Sequence, residues 1–155
     1  MSSPTRVFHV ENRLAKAARQ PGGKSISEAL KAAEQKIESV RGRCEASLLT
    51  KADALQAAAA GDRDAGAGAT LDALYDISNA IFGVAGTFGY DALAEAACSL
   101  CDLVHGFRTG EAVNWSAVDV HVDGIRLLAT GQKAGAESVL EGLQRVRARF
   151  VPTTT

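Results

Sequence analysis

Ile26, Leu30, Ala33, Ile37, Val40, Cys44, Leu48, Ala52, Leu55 and Ala59 recur at steps of three or four along a stretch that contains no proline. That spacing lays an apolar stripe along one side of a helix of about nine turns, with charged residues on much of the opposite side. No strand pattern accommodates it, because strand side chains alternate with a period of two. The chain of 155 residues is 46% hydrophobic, 23% charged and only 5% aromatic. Such a balance suits helices packed through small and aliphatic side chains in a single core. The expected class is all-α.

Taken in order, residues 1–24 form an arm in which Val7, Val10 and Leu14 recur at helical spacing before Pro21-Gly22-Gly23 breaks the pattern. Ser25 or Ser27 is placed to cap the long first helix, 26–60, whose one weak point is Gly42, a candidate bend or close crossing. A glycine-rich connection over 61–68 leads to a second helix, 69–85, with Leu71, Leu74, Ser78, Ile81 and Ala85 on its inner face. Asp72, Asp76, Asn79, Gly83 and Gly86 line an adjacent stripe. A third helix, 91–107, buries Leu93, Ala97, Leu100, Val104 and Phe107. Asn114 or Ser116 caps a fourth that ends near Ala129, with Ser116-x-x-Asp119 at capping-box spacing. A last amphipathic helix over 134–150 presents Val139, Leu143, Val146 and Phe150, and 151–155 is a tail. The short connections favour antiparallel neighbours. The domain reading is arm 1–24, helical bundle 25–150 and tail 151–155.

Several function classes are set aside. A formal net charge of −1 supplies no basic field for nucleic acid or anionic membranes. No apolar run reaches the roughly 18–20 residues that span a bilayer, and Met-Ser-Ser-Pro-Thr-Arg is not a signal peptide, so a cytoplasmic protein is expected. Cys44, Cys98 and Cys101 are too few for a disulfide framework, and the C-x-x-C of Cys98 and Cys101 falls mid-helix, so core or half-buried thiols are expected. His9, His105 and His121 offer no i, i+4 pair and no Cys-His cluster; His105 falls near a helix C-terminus and His121 at the edge of an apolar face. Neither metal nor cofactor is expected. The glycines Gly83, Gly86 and Gly89 lack the preceding strand of a dinucleotide fingerprint and the Lys-Ser/Thr of a phosphate loop.

Those glycines are the feature left to explain, because within a helix each costs about 1 kcal/mol relative to alanine. Residues 74–93, Leu-Tyr-Asp-Ile-Ser-Asn-Ala-Ile-Phe-Gly-Val-Ala-Gly-Thr-Phe-Gly-Tyr-Asp-Ala-Leu, resemble the core motif of histidine-containing phosphotransfer (HPt) domains of bacterial phosphorelays. In that family the motif reads H-x-hydrophobic-K-G-x-x-x-x-x-G-x-x-x-L, and its histidine carries the phosphoryl group. The resemblance extends more weakly to 97–101, 120–123 and 11–14. Ile81, Gly83, Gly89 and Leu93 match the motif, whereas Asn79 stands at the phosphoacceptor position and Phe82 at the lysine position. An amide nitrogen has its lone pair delocalised into the carbonyl and is no nucleophile, and a phenyl ring offers phosphate no charge.

The resemblance implies an antiparallel four-helix bundle of HPt type with an additional terminal helix or N-terminal arm. It implies a non-enzymatic signalling module of a two-component phosphorelay, a pseudo-phosphotransfer protein whose partner is a response-regulator receiver domain or a histidine kinase. The contact face is Asp76, Asn79, Phe82, Gly83 and Gly86. Two alternatives stand beside this reading: transfer through a displaced histidine, His121, and a structural or oligomeric helical protein whose glycines serve packing. Phe82 and the long first helix are the two candidate surfaces for a homodimer.

Overall fold

The computed structural model describes residues 25–131 and 135–150. The arm, the tail and Ala134 lie outside the described residues, as does His9. Among the described residues the chain is all-helical, with α1 Ile26–Ala59, α2 Ala67–Thr87, α3 Asp91–Arg108, α4 Trp115–Ala129 and α5 Ala136–Arg147. Two compact units divide it, Met1–Glu38 and Ser39–Thr155, so the boundary falls within the span of α1.

In the first unit, the start of α1 is set by a reciprocal cap. The Glu28 amide donates to Ser25 Oγ at 3.2 Å while the Ser25 amide donates to Glu28 Oε2 at 2.8 Å. This is the capping-box arrangement, and it selects Ser25 over Ser27. The apolar stripe behind this cap departs from expectation, since Ile26 is 83% exposed, Leu30 59% and Ile37 61%. Periodicity places these residues on one side of the helix but does not supply anything for that side to pack against. Burial along α1 begins at Cys44, in the second unit, and continues through Leu48, Ala52, Leu55 and Ala59. Gly42, also in the second unit, is exposed with open space where a Cβ would stand, so it marks no close crossing.

The core of the second unit is built around α3, nine of whose eighteen residues are buried, including every one expected from its spacing. α3 packs against α2, α4 and α5, and α4 also packs against α5. A helix with neighbours on three sides needs small residues to let them approach, and Ala94, Ala96 and Ala97 provide that. Leu55, Leu74, Ile81, Leu100, Leu103, Val104, Val118 and Ile125 fill the centre with no exposed surface. Each such aliphatic side chain is worth about 1.5–3 kcal/mol on transfer from water. On α5, Leu143 is buried while Val139, Val146 and Phe150 are half-buried; the Phe150 ring meets Phe107 edge-on at 6.0 Å.

Polar contacts fix the connections. Asp62 folds the α1–α2 loop, its carboxylate accepting from the amides of Asp64 at 2.8 Å and Gly66 at 2.9 Å. A Cβ on Gly66 would lie 2.9 Å from that same side chain, so the loop requires glycine there. Arg63 donates to the Ala59 carbonyl at the end of α1, forms a two-pronged pair with Asp119 on α4 at 2.6 and 3.0 Å, and lies 5.2 Å from the Trp115 ring centroid. Asp119 is therefore an ion-pair partner and not part of a capping box. Ser116 lies inside α4, and the cap is Asn114, whose Oδ1 accepts from the Ala117 amide at 2.9 Å. Arg147 on α5 reaches Asp102 on α3 at 2.6 Å.

Candidate functional site

The α2 helix runs two residues further at each end than its periodicity suggests, so Gly83 and Gly86 both fall inside it. Leu71, Leu74, Ser78, Ile81 and Ala85 are all buried, as expected, and the Ser78 hydroxyl satisfies itself on the Leu74 carbonyl at 2.7 Å. With that side inward, Asp76, Asn79, Gly83 and Gly86 are exposed, and Phe82 is 45% exposed. The five residues singled out from the sequence therefore share one accessible face of one helix. Phe82 stays outside the core, whose inward positions on α2 are held by Leu74, Ile81 and Ala85.

The three glycines of this region divide into two kinds. Gly89 ends the helix: its φ of 76° lies in the left-handed region, and the Phe88 and Tyr90 amides donate back to the Ala85 carbonyl at 3.2 and 3.0 Å. Gly83 and Gly86 have no such reason. Neither has a positive φ, and a Cβ built on either would meet nothing within 4 Å. Packing within the chain does not account for these two glycines, since among the described residues no neighbouring helix presses on them.

Around this face the charges are unevenly set. Asp72 and Asp76 are the charged residues of α2. Asp72 is paired with Arg108 from the end of α3 at 2.9 Å, and the Arg108 guanidinium lies 5.2 Å from the Tyr75 ring centroid. Arg108 lies one residue beyond the helix expected over 91–107 and is the last residue of α3, and the packing of α3 on α2 brings it to this border. At the α2–α3 corner the Tyr90 hydroxyl donates to Glu45 Oε1 at 2.6 Å, and that carboxylate pushes the phenol above its ordinary pKa.

His121 is not at a boundary: it has no exposed surface. Its Nδ1 lies 2.8 Å from the Ala117 carbonyl, which can only accept, so Nδ1 carries the proton and Nε2 accepts from the Ser99 hydroxyl at 3.0 Å. Burial pulls the imidazole below its ordinary pKa, the Ala117 bond counteracts this in part, and the charge of Arg147 adds to it. Both nitrogens are occupied in the neutral ring, which leaves no lone pair for a phosphoryl group to reach. His105 is exposed in the last turn of α3. Cys98 and Cys101 are half-buried as expected, and burial raises both thiols, Cys101 to about 11. Neither is activated for nucleophilic work.

Among the described residues no group of three or more His, Cys, Asp or Glu side chains could hold a metal ion, and no helix is long and apolar enough to cross a membrane. No protein-family model, curated protein or solved structure matches this chain. The resemblance to phosphotransfer domains rests on the sequence of residues 74–93 and, more weakly, of 97–101, 120–123 and 11–14.

Proposed function

We propose that this chain is a pseudo-phosphotransfer module of a two-component phosphorelay, docking a receiver domain or a sensor kinase through α2 without carrying the phosphoryl group. In this reading α1 to α4 are the antiparallel four-helix bundle of an HPt domain and α5 is the additional helix. The observation that carries it is the pair Gly83 and Gly86, exposed inside a helix that gains nothing from them. Glycine there lowers helix stability by about 1 kcal/mol per position, and close approach of another backbone is the return that fits. Phe82 beside them adds an accessible aromatic side chain, a type enriched in protein–protein interfaces. Asn79 takes the position of the reacting histidine and has no nucleophilic nitrogen.

Transfer through His121 is not favoured, because the ring is buried with both nitrogens engaged. Incubation with a phosphorylated receiver or an autophosphorylated kinase should leave no acid-labile, base-stable label on the chain. Label that is lost in His121→Ala would overturn the proposal. A receiver pull-down should weaken with Phe82→Lys and with Gly83→Arg; binding unaffected by either would return the chain to the structural class. Asn79→His with Phe82→Lys should confer phosphate acceptance if the docking geometry is that of a phosphotransfer domain.

A further inference from the structure

We infer that the α2 face discriminates by phosphorylation state, binding a receiver whose aspartate is free and rejecting the same receiver once it is phosphorylated. The inference rests on the docking reading above and adds to it the direction of regulation. Its basis is charge. From Ala67 to Thr87, α2 carries two acids and no Lys or Arg. Asp72 is neutralised by Arg108 and stands seven residues from Asn79, about 10 Å along the axis. Asp76 makes no hydrogen bond or ion pair among the described residues and lies one turn from Asn79, on the same exposed side. The carboxylate nearest Asn79 on this helix is therefore uncompensated.

Two further features have the same sign. Gly83 and Gly86 fall in the C-terminal part of α2, where the helix dipole presents its negative end, and the last turn has no basic residue to offset it. The neighbouring N-terminus of α3, which alone would attract an anion, carries Asp91 in its first turn. At the same corner Glu45 and Arg41 act on Tyr90 with opposite charge, and the effect of Glu45 prevails. One turn beyond Asn79, where a cation would meet a phosphoryl group, stands the half-exposed ring of Phe82.

Phosphorylation of a partner's aspartate replaces a charge of −1 by about −2 and adds strong acceptor oxygens. Brought against Asp76, an apolar ring and a helix C-terminus, that group loses water and meets no cation on α2, with only the neutral amide of Asn79 to donate to it. The unphosphorylated surface has less charge to desolvate and keeps the apolar contact with Phe82.

The test uses purified single-domain response-regulator receivers, each free and loaded with Mg²⁺ and beryllofluoride as the acyl-phosphate mimic, titrated against the full chain by calorimetry at low salt. The expected result is a Kd about five- to tenfold higher for the loaded form, a ratio that shrinks at high salt. Asp76→Asn should narrow the ratio, and Phe82→Lys should invert it, each variant first checked for wild-type helicity. Equal or tighter binding of the loaded form by the wild-type chain overturns this inference and leaves the docking reading in place. Binding of neither form by any receiver overturns both.

Discussion

Lowering the pH from 7.5 to 5.0 should destabilise this protein through a single side chain, His121. The ring is fully buried, and its two hydrogen bonds, Nδ1–H to Ala117 and Ser99 O–H to Nε2, require the neutral form. Protonation would put a second N–H against the Ser99 hydroxyl and a charge in the core, so the folded pKa lies below the ordinary value. In the unfolded chain an imidazole takes its proton near pH 6.5. Below that pH the unfolded state binds more protons than the folded state, and stability falls as pH falls. Above it the stability is fully present. The slope approaches about 1.4 kcal/mol per pH unit, so pH 5.0 removes up to about 2 kcal/mol, and the loss levels off once the folded ring itself takes the proton. Urea unfolding followed by Trp115 fluorescence and far-ultraviolet dichroism at four pH values measures it. His9 and His105 are present in both wild type and His121→Asn, so the difference between the two slopes isolates His121. Equal slopes, or a flat wild-type profile, would refute the buried-neutral assignment. At neutral pH, Ser99→Ala should cost about 1–3 kcal/mol by leaving Nε2 buried without a donor.

Gly83→Ala and Gly86→Ala should each raise stability by about 0.5–1 kcal/mol in the same assay, because the added methyl meets open space and alanine prefers the helix; a loss at either site would show that the fold does need the glycine. Leu55→Ala, at a fully buried position, should cost about 2–5 kcal/mol. Leu30→Ala, on the exposed stripe of α1, should change stability by less than about 0.5 kcal/mol, and an equal cost at the two sites would contradict the different burial. Asp119→Ala should cost about 1–2 kcal/mol, reduced by the partial exposure of its pair with Arg63, and should alter Trp115 emission as the guanidinium leaves its position beside the ring.

Much of the candidate site was legible because helical geometry is a local property. Once Leu71, Leu74, Ser78, Ile81 and Ala85 are taken as the inner face, a rotation of about 100° per residue places Asp76, Asn79, Gly83 and Gly86 away from it. Those positions followed without any knowledge of neighbouring helices. Two side chains resisted the same reasoning. Phe82 lies close enough to the core direction that spacing alone did not decide its exposure, and the tertiary structure leaves it outside a core whose inward positions Ile81 and Ala85 hold. His121 stood at the margin of an apolar stripe, and the packing of α4 on α3 turned that margin inward, against Ser99.

The α1 stripe shows the limit from the other side. From Ile26 to Ala59 its pattern is uniform, yet Ile26, Leu30 and Ile37 are exposed while Leu48 and Leu55 are buried. A periodic sequence specifies which side of a helix is apolar, because that depends on residues three and four apart. Whether that side is covered depends on residues far away in the chain, and no local pattern encodes them. Helix identity, the inner face of α2 and the absence of a nucleophile at Asn79 thus follow from the sequence alone. The open space over Gly83 and Gly86, the burial of His121 and the capture of Asp72 by Arg108 were decided by the tertiary structure, since each depends on how one helix lies against another.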